Sequence, residues 1–152
     1  MDSARTLMLT AVAGVAIALA GCATVEEAAI EAVADTYHAR LSGAQEVGAG
    51  DADGSASAEI SVSDRLNQVC WDVTDIRNIG DVTGAHIHKG AAGVNGPVVV
   101  MLTKSNQGTW KGCADRGTEW TQDMIKANYS GFYVNIHTAE YPGGAIRGQL
   151  TR

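Results

Sequence analysis

Of the four histidines in this 152-residue chain, two flank a single isoleucine: His86-Ile87-His88, in "GAHIHKGAAGVNGPVVV". A third, His137, lies near the end of "GFYVNIHT". Side chains of a β-strand alternate between its faces, so His86 and His88 share one face and Ile87 takes the other. By the same rule Tyr133, Asn135 and His137 share a face, opposite Phe132, Val134 and Ile136. If the two strands are neighbours, three imidazoles converge without disturbing the apolar side. Three neutral imidazoles with an open position suit copper or zinc. The same residues also have a plainer use. His86 or His88 can donate a ring N–H to a carbonyl of the "GAAGVNG" loop and hold it on the sheet, and His137 can do likewise for "AEYPGG". His38, on the outward face of its own short run, reads as solvated.

The residues around the histidines read mainly as support. Gly90, Gly93 and Gly96 permit a positive φ or a close backbone approach, and Pro97 fixes entry to the valine run. Their spacing is not a nucleotide loop, because no helix follows to receive a phosphate. Pro142-Gly143-Gly144 reads as a turn. Arg147 shares a face with Gln149, and if buried it needs an acid such as Asp72 or Asp75. Asn135 and Arg147 are therefore candidate polar contacts. Asp51 and Asp53 in "GDADGS" read as a turn, since no full calcium ligand set follows. No G-x-S-x-G or similar motif is present, so no catalytic residue is named.

The elements that must position these groups are mostly short strands. "SASAEISVS" alternates, with Ala56, Ala58, Ile60 and Val62 inward. "QVCWDVTDI" alternates again after the polar turn "DRLN", and the two read as an antiparallel hairpin. Alternation begins at Tyr37, with Ala39 and Leu41 on the same face. Further strands are expected at "GAHIH", "GPVVVMLT", "TWKGCA", "GFYVNIHT" and "AIRGQLT". Only "TEWTQDMIKANY" has helical spacing, with Trp120, Met124 and Ala127 in step and Thr118 as the expected cap. The fold class expected is all-β: an antiparallel sandwich or flattened barrel, superoxide-dismutase-like or immunoglobulin-like, with one short helix.

The N-terminus reads as an address. Arg5 precedes an uncharged apolar run, Leu7 to Ala20, shorter than the roughly 20 residues a membrane-spanning helix needs. It ends in Leu19-Ala20-Gly21-Cys22, which resembles the bacterial lipobox, where lipid is joined to the cysteine. Residues 1–21 are then a signal peptide, 22–36 an acidic tether and 37–152 the domain. With Cys22 lipidated, Cys70 and Cys113 are an even pair in an oxidising compartment, and a structural disulfide is expected. The formal charge of −6 repels a phosphate backbone, which argues against nucleic acid as a partner.

Several stretches together resemble a known family. "YHARLSGAQEV", "DGSASAEISVS", "VCWDVT", "AHIHKGAAGVNGPVVVML" and "FYVNIHTAEYPGGAIRGQL" follow the order of CHRD domains, the type named after chordin. The chain departs at Gly48-Ala49, where the family usually has a proline pair. The resemblance implies an extracellular β module without established catalysis. It carries His86, His88 and His137 onto signature histidines, and Cys70 and Cys113 onto a cysteine pair. The expectation is a lipid-anchored module of the bacterial cell envelope, binding or structural, with a three-histidine copper or zinc site. Its expected partners are the membrane through the anchor, a metal ion or a protein, and further copies of itself. The rival is a copper-dependent redox enzyme of superoxide-dismutase type using the same histidines.

Overall fold

The structure, a computed structural model, describes residues 34–118 and 120–152. The expected signal peptide, the lipidation residue Cys22 and most of the tether lie outside the described residues.

Eight strands alternate inward and outward side chains as their sequences dictate. They are β1 (Asp35–Ser42), β2 (Ser55–Ser63), β3 (Gln68–Arg77), β4 (Val82–Lys89), β5 (Val98–Leu102), β6 (Trp110–Asp115), β7 (Phe132–Thr138) and β8 (Ile146–Gln149). All pairings are antiparallel, in the order β5-β4-β7-β8-β1-β2-β3-β6. The outermost strands β5 and β6 approach each other, and the Trp71 indole Nε1 donates to the Thr103 carbonyl at 3.2 Å near that seam. The sheet is thus a nearly closed, flattened barrel, which protects both of its edges.

The interior takes the apolar set of each strand. Tyr37, Ile60, Val62, Trp71, Ile87, Val134, Ile136 and Ile146 are among its buried members. One helix, α1 (Gln122–Ala127), sits outside the sheet. Its N-cap is Thr121, whose hydroxyl accepts from the Met124 N–H at 3.2 Å, and not the expected Thr118. The cap lies one residue past Trp120, whose buried ring meets Phe132 edge-on at 4.8 Å and belongs to the connecting loop.

Cys70 and Cys113 are directly opposed on β3 and β6 and form a disulfide, with Cα atoms 4.0 Å apart. It ties the last strand of the sheet to its neighbour. His38 is exposed, as expected, with its ring 3.9 Å from Glu59.

Strand β7 departs from simple alternation, and the departure places the site. Both of its faces are covered: Phe132, Val134 and Ile136 look into the barrel, while Tyr133 and Asn135 are also buried, at 2% and 3% exposure. The second covering is polar. It comes from the β4–β5 loop and from the segment after β1, which fold back onto the outside of the sheet.

Candidate metal centre

Register decides which outward side chains meet. β4 and β7 are paired, His86 opposite Asn135, His88 opposite Tyr133, and Gly84 opposite His137. On β8, Arg147 lies opposite Asn135 and Gln149 opposite Tyr133. Directly opposed side chains have Cβ atoms about 4.5–5.5 Å apart, so these residues form one contiguous polar layer. Gly84, with no side chain, leaves room beside His137 that the His86 ring takes: a Cβ there would meet its Nε2 at 3.6 Å.

The three histidines converge. One ring nitrogen from each of His86, His88 and His137 lies within 4.8 Å of the other two. His86 Nδ1 and His137 Nε2 are 3.0 Å apart. Two of the rings have their far nitrogen committed to a backbone carbonyl. His88 Nδ1 donates to the Gly96 carbonyl at 2.9 Å, and His137 Nδ1 donates to the Pro142 carbonyl at 3.0 Å. Those bonds fix the tautomer and leave both Nε2 atoms as lone-pair donors, the usual second-layer device of histidine metal ligands. His88 Nε2 is buried and has no hydrogen-bond partner. The loop-holding role expected from sequence is thus present on His88 and His137, and the ring nitrogens that could hold a metal are the other ones of the same rings.

The electrostatics favour the neutral form of His86 and His137. Burial holds His86 below its ordinary imidazole pKa, with His137 and His88 adding to the effect. Burial lowers His137 as well, against the opposing influence of its bond to Pro142, with His88 lowering it further. Neutral imidazole is the form that ligates metal.

The glycine loop is held by Arg147, which is 1% exposed. Its Nη2 donates to the carbonyls of Ala91 at 2.8 Å and Val94 at 3.1 Å, and to Gln149 Oε1 at 2.9 Å. The guanidinium carbon also lies 3.4 Å from the centre of the Tyr133 ring, on which His88 stacks at 4.8 Å. The Tyr133 hydroxyl accepts from the Gly96 N–H at 3.2 Å. This corrects the expectation of Asp72 or Asp75 as the acid for Arg147. Asp72 pairs with Lys111 and Asp75 with Arg77, both on the far side of the sheet order. The guanidinium is satisfied mainly by carbonyl and amide oxygens.

Sequence reasoning missed Glu46; it placed Tyr133 on the face of His137 and Gln149 on that of Arg147, but gave neither a role in this layer. Glu46 interacts with the Asn135 side chain and the Arg147 charge, both of which lower its pKa; its Oε1 is buried without a hydrogen-bond partner, and burial pushes its carboxyl above the usual range. A Cβ on Gly144, whose φ is 137°, would run into that carboxyl, so the "PGG" turn is shaped around Glu46. No periodicity marks Glu46, because it follows a short 3-10 turn at Gly43–Gln45 and reaches the layer from a loop.

Residues 37–150 match the model of the CHRD domain. This chain belongs to the CHRD domain family. The match takes in all eight strands, from the third residue of β1 to the residue after β8. All the histidines, glycines and the arginine of the polar layer lie inside the CHRD domain. No curated protein and no solved structure matches the chain.

Proposed function

We propose that this CHRD domain is a metal-binding module of the bacterial cell envelope, anchored by lipid at Cys22 and holding one copper or zinc ion between His86, His88 and His137. The observation that carries the reading is the buried, unpartnered Nε2 of His88, facing two other imidazoles with its own Nδ1 locked on Gly96. A buried acceptor left unsatisfied costs about 1–3 kcal/mol, and a bound cation removes that cost. Borderline nitrogen donors favour copper and zinc over magnesium or calcium, which prefer oxygen. The lipobox-like Leu19-Ala20-Gly21-Cys22 and the disulfide between Cys70 and Cys113 both fit an exported, oxidising location. The charge of −6 suits attraction of cations.

Titration of tag-free protein with zinc and with copper tests this reading. Wild type should bind close to one ion per chain, and His137→Ala should bind at least about a hundredfold more weakly while keeping a dispersed amide spectrum. Wild type that takes up neither metal would overturn it. Intact-mass analysis of membrane-extracted protein tests the anchor: a diacylglyceryl group on a chain beginning at Cys22 is expected, and an unmodified Cys22 contradicts it.

A further inference from the structure

Asn135 is the one buried amide in the layer, and its orientation is informative. Its Oδ1 lies 3.1 Å from His137 Nε2, the atom that also meets His86 Nδ1 at 3.0 Å. With the His137 Nδ1 proton committed to Pro142, neutral His137 has only a lone pair on Nε2. Two acceptors, Oδ1 and Nε2, therefore face each other at hydrogen-bond distance with no proton between them. Turning the amide over would bring a donor to His137, but it would set the oxygen toward the Glu46 carboxyl, whose interaction with this side chain favours the ionised acid. Glu46 thus aims the Asn135 oxygen at the histidines. A cation between Oδ1 and Nε2 relieves the repulsion.

The spacing fits shared coordination. Four ligands about 2.0–2.1 Å from one tetrahedral ion lie about 3.3 Å from one another. The contacts of 3.0 and 3.1 Å around His137 Nε2 are near that value, and the histidine nitrogens, within 4.8 Å of one another, need to draw together only by about 1.5 Å at most. Register supports it independently, because Asn135 stands directly opposite His86 on the paired strand. Resting on the three-histidine reading, we infer that Asn135 Oδ1 is the fourth ligand, completing a closed N3O set with His86 Nδ1, His88 Nε2 and His137 Nε2.

The inference separates function classes. Structural and carrier sites close their coordination with protein atoms, whereas catalytic zinc and copper sites keep a position for water or substrate. An amide oxygen is also a hard donor, which favours divalent zinc, cobalt or copper over cuprous ion. The site is built to hold a divalent ion and not to expose it.

The experiment uses zinc and cobalt with the full mature domain. In wild type, zinc should shift the Asn135 side-chain 13Cγ and 15Nδ2 resonances in one-to-one proportion, and the cobalt complex should have a tetrahedral visible spectrum that azide leaves unchanged. Asn135→Ala should bind zinc at least about tenfold more weakly and gain an azide-sensitive cobalt spectrum, because the vacated position opens to exogenous ligands. Zinc binding to wild type with unmoved Asn135 resonances, or an azide-sensitive wild-type spectrum, overturns the fourth ligand and leaves the three histidines standing. Absence of zinc, cobalt and copper binding by wild type instead removes the histidine site itself. The resonance measurement needs no variant, so it decides the matter even if Asn135→Ala does not fold.

Discussion

Replacing Arg147 by methionine tests whether the polar layer depends on one clamp. Methionine keeps a long apolar side chain in the same space and removes every donor. The bonds to the Gln149 and Asn95 amide oxygens are lost, and with them the two charge-assisted bonds to the carbonyls of Ala91 and Val94 that clamp the loop. At about 1.5 kcal/mol each the two loop bonds sum to about 3 kcal/mol; the lower end applies because Ala91 and Val94 are exposed and their carbonyls regain water. The contact with the Tyr133 ring adds about 1 kcal/mol, giving an expected loss of about 4 kcal/mol. That is a large share of the roughly 5–15 kcal/mol that a domain of this size has. The consequence reaches the site, because the same loop supplies the Gly96 carbonyl that orients His88. Zinc affinity should fall about 10–100-fold, as it does when the outer partner of a ligating histidine is lost. Urea unfolding at fixed pH, with hydrogen exchange of the Gly90–Gly96 amides, measures both parts. A loss below about 1 kcal/mol with unchanged zinc affinity would refute the clamp.

Other consequences are equally direct. His86 and His137 both have lowered pKa values in the folded, metal-free domain, so the unfolded chain binds more protons once pH drops below 6.5. Stability of chelator-treated protein should therefore be full above pH 6.5 and fall as pH drops through the lower folded values; urea melts between pH 5 and 8 check the sign, and a rise on acidification contradicts it. Gly96→Ala places a Cβ against the Lys89 carbonyl and should cost about 1–3 kcal/mol while weakening metal binding through His88, both readable from melts and titrations. Reducing the Cys70–Cys113 bridge, which spans 43 residues of sequence, should remove about 4 kcal/mol by the loop-entropy relation, measurable as a lower urea midpoint in reductant.

Much of the barrel was legible because alternation is a local property. Ala56, Ala58, Ile60 and Val62 announce their own inward face, and the same reading put His86 and His88 together. Whether β4 and β7 are neighbours was not legible, since strand order is a long-range outcome; the sequence supported the three-histidine cluster only on that condition. The helix was found, but its cap was misplaced, because Trp120 falls in helical step with Met124 while belonging to the loop that buries it against Phe132. The partner of Arg147 was misjudged for a related reason. A buried guanidinium was expected to seek a carboxylate, whereas the glycine loop turns its carbonyls inward and serves as the counterpart. Glu46 carried no signal because its role depends on the "PGG" turn, almost a hundred residues away, closing over it.

Anomalous diffraction at the zinc edge from zinc-soaked crystals of tag-free protein tests the central claim most directly. The account expects a single strong peak between His86 Nδ1, His88 Nε2 and His137 Nε2, with the Gly96 and Pro142 carbonyls still accepting from the far ring nitrogens. A well-ordered structure with no peak there, and His86 still hydrogen-bonded to His137, would contradict it.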